Sequence, residues 1–172
     1  MTVIYSFYLE IIPIECDMRV VIQRVKNAQV LIDQKEKRSS GSGLLVLLGI
    51  EHADEESDVY WLVNKILNLR IFEDSNGVMN CSLLEVKGDL MVVSQFTLMA
   101  ATKKGNRPSY IRAANHEHAI PLYEFFLKTA QEKLASLLIM IAKRKIYCEN
   151  HSVTADTQFE LPISREDISD YL

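Results

Sequence analysis

The run GLLVLLGI at residues 43–50 limits what this chain can fold into more than any other stretch. As a strand it places Leu44, Val46 and Leu48 on one face and Leu45, Leu47 and Gly49 on the other, so both faces are apolar. Such a strand needs a neighbour along each edge and a packed layer over each face, which makes it the centre of a sheet. The polar stretch QKEKRSSGSG before it supplies turn chemistry. Gly41-Ser42-Gly43 is not a phosphate loop, because a strand rather than a helix follows it and a Lys-Ser/Thr pair is missing.

With 172 residues the chain can bury such a core as one domain, or as one domain with an appendage. From Met18 the segment RVVIQRV alternates, with Val21, Gln23 and Val25 on one side and Val20, Ile22 and Arg24 on the other. Residues 29–33 predict a second short strand. Asp54 is the expected N-cap of the helix EESDVYWLVNKILNLR, whose Val59, Leu62, Val63, Ile66 and Leu69 recur at helical spacing. RIFED and VMNCSLL read as two strands joined through Ser75-Asn76-Gly77. Lys87-Gly88-Asp89 turns the chain into a further strand, LMVVSQFTL, after which a loop runs to Asn115. From there Ile120, Tyr123, Leu127, Ala130, Leu134, Leu137 and Ile141 predict one helix continuing to about Lys143. IYCENHSVTADTQFELP reads as polar and irregular, and Ser164 is placed to cap a short acidic helix, REDISDYL.

Charge and composition exclude several functions. Nineteen Lys and Arg against twenty-three Asp and Glu leave a net charge of −4, so any contact with nucleic acid comes from a local patch. Cys16, Cys81 and Cys148 are odd in number and lack a CxxC partner, which fits a reducing compartment rather than a disulfide framework. The uncharged apolar run 134–142 is about half the length of a bilayer crossing. The opening MTVIYSFYLEIIPIECD has no Lys or Arg ahead of its apolar stretch and is interrupted by Glu10 and Pro13, unlike a secretory signal. A cytoplasmic protein without membrane contact is the expectation.

The side chains offer little conventional catalytic chemistry. Ser94 and Thr97 are hydroxyls near the end of a strand, where such groups commonly just bond to backbone. His52, His116, His118 and His151 are loop residues, and there is no GxSxG elbow, so a Ser-His-Asp hydrolase is not supported. His116-Glu117-His118 opens a helix, where residues two apart do not share a face, and further ligands for a metal are not evident. Between Leu98 and His116 there is no acidic residue, while Lys103, Lys104, Arg107 and Arg112 cluster with Tyr110. That is the composition of a phosphate-contacting patch, and equally of a solvated loop.

Taken in order, MRVVIQRV at 18–25, GLLVLLGIEH at 43–52, NLRIFED at 68–74, GVMNCSLL at 77–84, VVSQFTLMA at 92–100 and GNRPSY at 105–110 resemble the D-aminoacyl-tRNA (D-tyrosyl-tRNA) deacylase family. The resemblance covers residues 18–127, and SQFTL is one of that family's two signature motifs. It implies an α+β fold on a barrel-like, mostly antiparallel sheet with packed helices. It also implies a homodimer with two sites across the interface. The activity implied is hydrolysis of the ester joining a D-amino acid, or glycine, to the terminal ribose of aminoacylated tRNA, without cofactor or metal. The residues it implies at the ester are Ser94, Gln95, Phe96 and Thr97, with main-chain N–H groups near Phe96 and Thr97 as donors and Thr97 also considered a nucleophile. Arg24, Met79 and Asn80 fall on the substrate side, Arg24 bracing a chirality-selecting loop. Lys103, Lys104 and Arg107 meet the tRNA acceptor end.

The family's second motif is a Gly-Pro dipeptide that excludes L-amino acids. The prolines of this chain follow Ile12, Arg107, Ile120 and Leu161, so none follows glycine. In its place, KTAQEKLASLLIMIAKRK and FELPISREDISDYL resemble the end of cyclic-AMP-receptor-type transcription regulators, where LPISREDISDYL looks like the first helix of a helix-turn-helix. This implies a helical tail over 128–172 without a recognition helix, and DNA binding is not expected of it.

Overall fold

A computed structural model describes residues 18–32, 35–103, 105–134, 138–141 and 151–163. The expected apolar strand is present as β3 (Gly43–Gly49), buried along both faces. It lies between β1 (Arg19–Ile32), antiparallel, and β6 (Asp89–Ser94), parallel. The sheet continues from β6 to β7 (Leu138–Ile141) and from β1 to β2 (Glu36–Ser40), giving the order β2-β1-β3-β6-β7. A last strand, β8 (His151–Ile163), runs antiparallel along β1.

The alternation of β3 sorts the core into two compartments. Leu44, Val46 and Leu48 join Val20, Ile22, Leu90 and Val92 under the helices. Leu45 packs instead with Val25, Ala28, Val30, Met91 and Val93 on the opposite face. Val25 and Ala28 are an odd number of residues apart yet share that compartment, and the register with β8 shifts between them. One extra residue at this bulge restores the alternation and bends β1. Since β8 occupies one edge of β1, both β3 (at 19–25) and β2 (at 28–32) lie along the other. Beyond the bend, β2 reaches β6 and β7, so the sheet curls over the second compartment as a half-barrel.

The helices α1 (Glu56–Asn68) and α3 (His116–Lys133) cover the outer face side by side. Tyr123 of α3 donates its Oη–H to the Val92 carbonyl at 2.8 Å, a buried bond between helix layer and sheet. Helix α3 starts beside Asn115 as expected, and Asn115 caps it, its Oδ1 accepting from the His118 N–H at 3.0 Å. The N-cap of α1 is Glu55 rather than Asp54. Asp58 reaches back to the Glu55 N–H, while fully buried Asp54 accepts from the Glu51 N–H at 2.6 Å.

Several expectations are corrected. Residues 19–32 are not two short strands but one bent strand of 14 residues. The polar stretch expected to turn contains β2, whose register is dictated by β1 rather than by hydrophobic alternation. VMNCSLL divides into β5 (Met79–Cys81), paired with β4 (Phe72–Glu73), and a helical turn α2 (Leu83–Val86). That turn begins at a capping box in which Ser82 and Glu85 exchange bonds. The long helix stops at Lys133, and residues 138–141 pair in parallel with β6. An apolar run flanked by charges does not distinguish helix from buried strand by periodicity, and the edge of β6 supplies the pairing that decides it. Residues 151–163, read as irregular and then as the approach to a helix, are β8, so the helical tail is replaced there by a strand. The leader 1–17 and the acidic segment 165–172 lie outside the described residues.

Close approach of β3 and β6 makes a sharp prediction. A Cβ on Gly43 would sit 1.9 Å from the Asp89 carbonyl oxygen and 2.6 Å from its nitrogen. Backbone cannot yield as a flexible side chain does. Gly43→Ala should therefore cost about 3 kcal/mol or more in urea unfolding. A cost below about 1 kcal/mol would mean the strands do not approach this closely.

Candidate active site

At the end of β6 the chain leaves the sheet through Ser94 and Gln95 and turns into a single 3-10 turn, Phe96–Met99. The turn is tied down from below. The Gln95 N–H donates to the Leu48 carbonyl at 2.7 Å, continuing the β3–β6 pairing by one residue. Gly49 gives the room: a Cβ there would meet Leu98, Met99 and the Gln95 carbonyl at 3.1–3.2 Å. Arg19 Nη1 donates to the Leu98 carbonyl at 3.3 Å.

Within the turn, Leu98 N–H donates to Gln95 O and Ala100 N–H to Thr97 O, each at 3.2 Å. The N–H groups of Phe96 and Thr97 are the first two of the turn, which no i−3 carbonyl within it can satisfy. Neither has a hydrogen-bond partner among the described residues. Gln95 Nε2 donates to Thr97 Oγ1, so that hydroxyl oxygen already serves as an acceptor within the turn. The Phe96 ring is 44% exposed and meets Tyr110 edge-on, with ring centroids 5.3 Å apart. The surface thus combines an aromatic wall with donors that have no partner among the described residues, and among those residues no histidine hydrogen-bonds to the turn. His118 is used elsewhere, its Nε2 lying 2.9 Å from the Asp54 carbonyl.

The loop carrying Tyr110 is clamped onto the end of β3. Arg112 donates from Nε and Nη2 to the two carboxylate oxygens of Glu51, at 2.6 and 2.7 Å. Ala114 N–H donates to Ile50 O at 2.9 Å, and Ala101 and Ser109 exchange a pair of backbone bonds. Lys103 and Arg107 stand exposed on this loop. Lys104 lies outside the described residues.

The other expected substrate-side residues gather elsewhere. Arg24 pairs with Leu44 and through it with Leu90, four positions along the sheet from the row Val20, Leu48, Ser94. That is about 13 Å along the strands. Its Nη1 donates to Ile71 O at 2.7 Å and Nη2 approaches Glu73 at 3.4 Å, while Nε is buried without a partner among the described residues. Together with Ser42, Phe72, Glu73, Lys87 and Gly88 it borders a cavity of about 370 Å³. Met79 is half exposed on the neighbouring hairpin. Asn80 is part of that hairpin's own scaffold, accepting from Arg70 through both its main-chain and side-chain oxygens and donating to Asp74 at 3.0 Å. The structure joins Ser94, Gln95, Phe96 and Thr97 to the Tyr110 loop. It sets Arg24, Met79 and Asn80 at the other end of the sheet. Sequence reasoning missed Glu51, whose role depends on a partner sixty-one positions away, beyond the reach of local pattern.

Comparison with known proteins gives a consistent result. The family model described as D-Tyr-tRNA(Tyr) deacylase matches residues 21–158. A D-aminoacyl-tRNA deacylase of Azobacteroides pseudotrichonymphae is 57% identical over 121 residues, 70% of this chain and 81% of that protein. One of Cytophaga hutchinsonii is 61% identical over 117 residues, 68% of this chain and 78% of its own length. Among solved structures, the c-Myc DNA unwinding element binding protein superposes with a TM-score of 0.74 at 29% identity, covering 85% of this chain and 97% of that one. A probable eukaryotic D-amino acid tRNA deacylase gives 0.67 at 15% identity over 85% of this chain and 99% of that one, a likeness of fold.

The hairpin beside Arg24 carries a pH signature. Asp74 accepts from the N–H groups of Asn76 and Val78 at 2.8 and 3.2 Å, and these bonds, with the Asn80 amide and Arg70, hold its carboxyl below its ordinary value of 3.8. A depressed carboxylate supports the fold above its unfolded pKa, and that support is lost as pH falls through the folded value. The amide resonances of Asn76 and Val78 should therefore titrate together below pH 3.8, and Asp74→Asn should abolish the transition. Titration at or above 3.8 would contradict the bonding.

Proposed function

The chain belongs to the D-Tyr-tRNA(Tyr) deacylase family, and on that premise we propose that the 94–97 turn is its ester-cleaving site. The protein is a hydrolase of the ester bond in D-aminoacyl-tRNA. The observation that carries the site assignment is the pair of unpartnered N–H groups at Phe96 and Thr97, on a turn fixed at both ends.

An aminoacyl ester is already activated, and the neighbouring ribose hydroxyl can assist proton movement. What remains for the protein is to hold the carbonyl and to stabilise the negative charge that grows on its oxygen as water adds. Two fixed N–H donors do both without a titrating side chain. This accounts for the lack of a histidine at the turn. Thr97 as nucleophile is the less supported assignment, because the structure offers its hydroxyl a donor, Gln95, and no base.

The remaining assignments follow the geometry. Lys103 and Arg107, with Lys104 beside them in sequence, take the phosphates of the acceptor end. Arg24, Met79 and Asn80 act across a homodimer interface, since in one protomer they stand away from the turn. The orphaned Nε of Arg24 fits a group supplied from outside the described residues. The protein works in the cytoplasm, where its substrate is made; among the described residues no helix is long and apolar enough to cross a membrane.

Proline offers a direct test, because it removes a main-chain donor while suiting the first position of a helical turn, Gln95 before it being non-helical. Thr97→Ala should keep kcat for D-tyrosyl-tRNA within about tenfold; Phe96→Ala, which also removes the ring that meets Tyr110, should lower it about tenfold or more, and Phe96→Pro should fall a further ~10²–10³-fold below Phe96→Ala. Loss of activity in Thr97→Ala, with Phe96→Pro no worse than Phe96→Ala, would assign the chemistry to the hydroxyl instead.

A further inference from the structure

We propose that the Arg112–Glu51 ion pair is a positioning device for the ester-cleaving turn, and that Arg112, despite its place in the basic loop, is not a phosphate contact. The inference rests on the deacylase reading of the 94–97 turn.

Three observations carry it. First, the guanidinium is committed in a two-bond fork to a carboxylate that is only 10% exposed, at 2.6 and 2.7 Å. An arginine held this way has given the two-donor edge of Nε and Nη2 to the carboxylate, which also neutralises its charge. Second, Glu51 is itself immobilised. It lies two residues beyond the end of β3, its N–H donates to fully buried Asp54, and its backbone bridges to Ala113. Third, Tyr110 lies between two anchors, the Ala101–Ser109 backbone pair on one side and Arg112 on the other, and its ring stands edge-on to Phe96. Hydrogen bonds link Asp54 to Glu51 and Glu51 to Arg112, the backbone joins Arg112 to Tyr110, and the ring contact joins Tyr110 to Phe96. This linkage ends on the residue whose N–H is the proposed donor.

Lys103 and Arg107 have no ion-pair partner among the described residues and are exposed, so the basic loop divides by role. Two of its cations face solvent. A third holds the loop, and through Tyr110 the turn, to the end of β3. A donor displaced by about 1 Å costs on the order of 10²-fold in rate, so a clamp of this kind acts on the chemical step more than on binding.

The test compares Arg112→Ala, Arg112→Lys and the near-isosteric Glu51→Gln with Lys103→Ala, measuring kcat and KM for D-tyrosine release from D-tyrosyl-tRNA across a range of KCl. Arg112→Ala and Glu51→Gln should each lower kcat at least about tenfold and leave KM within about twofold, with the salt dependence of KM unchanged. Arg112→Lys keeps the charge but not the fork and should recover little of the loss. Lys103→Ala should instead raise KM and flatten its salt dependence. Amide hydrogen exchange supplies a readout independent of turnover: Leu98 and Ala100, which close the turn, should lose protection in Arg112→Ala while β3 amides keep theirs.

The proposal is overturned if Arg112→Ala behaves like Lys103→Ala and Glu51→Gln is silent, which would make Arg112 a phosphate contact. It is overturned equally if kcat and the Leu98 and Ala100 protection match the unaltered protein. Should the unaltered protein release no D-tyrosine, the deacylase reading of the turn fails. The exchange experiment then still decides whether the pair fixes the turn.

Discussion

The backbone pairing of Leu48 is the constraint on which the rest of the structure depends. It faces Val20 on one side and Ser94 on the other, and its carbonyl takes the Gln95 N–H as the chain leaves the sheet. Because β3 is buried on both faces, this register cannot slip by one residue without exchanging the two core compartments. The position of the 96–99 turn is therefore set by the least adaptable strand in the molecule. Glycine at 43 and 49 permits the close approach at either end of β3, to Asp89 in one case and to the turn itself in the other.

A site made from main-chain donors distributes charge unlike a triad enzyme. Arginines are used as fasteners: Arg24 to Ile71 and Glu73, Arg70 to Asn80, Arg112 to Glu51. The scaffold thus consumes fixed cations, while Lys103 and Arg107, proposed above to meet the anionic partner, stand exposed. This reconciles a net charge of −4 with a nucleic-acid substrate, since steering requires only a local field. It also explains why an inventory of histidines and serines says so little about this protein: the groups that matter at the turn are N–H groups, which every residue except proline carries.

The parts of the fold legible in the sequence were those marked by an unbroken apolar run, a clean helical period or a turn signal. The apolar run at 43–50, the stripe Val59, Leu62, Val63, Ile66 of α1, the start of α3 at Asn115 and the Asn76-Gly77 turn all stand where local pattern puts them. β2 was not legible because Glu-Lys-Arg-Ser-Ser has no apolar alternation, and the strand exists through its ladder to β1. The bend in β1 leaves no sequence mark beyond a change of parity between Val25 and Ala28. β8 did carry a signal, Val153, Ala155, Thr157, Phe159, Leu161 and Ile163 alternating with polar residues and Pro162, but the polar composition masked its period of two. For the candidate site, the SQFT motif and the basic loop could be read from residues. The Glu51–Arg112 fork and the separation of Arg24 from the turn depend on tertiary register, which no local pattern encodes.

The most direct test of the account is the time course of D-tyrosine and L-tyrosine release when the unaltered protein is incubated with each charged tRNA, alongside a measurement of tRNA binding. The account predicts release of D-tyrosine with turnover well above spontaneous hydrolysis of the ester. Folded protein that binds the charged tRNA and releases neither enantiomer would contradict it, and would leave the exposed donors of Phe96 and Thr97 without the chemistry assigned to them.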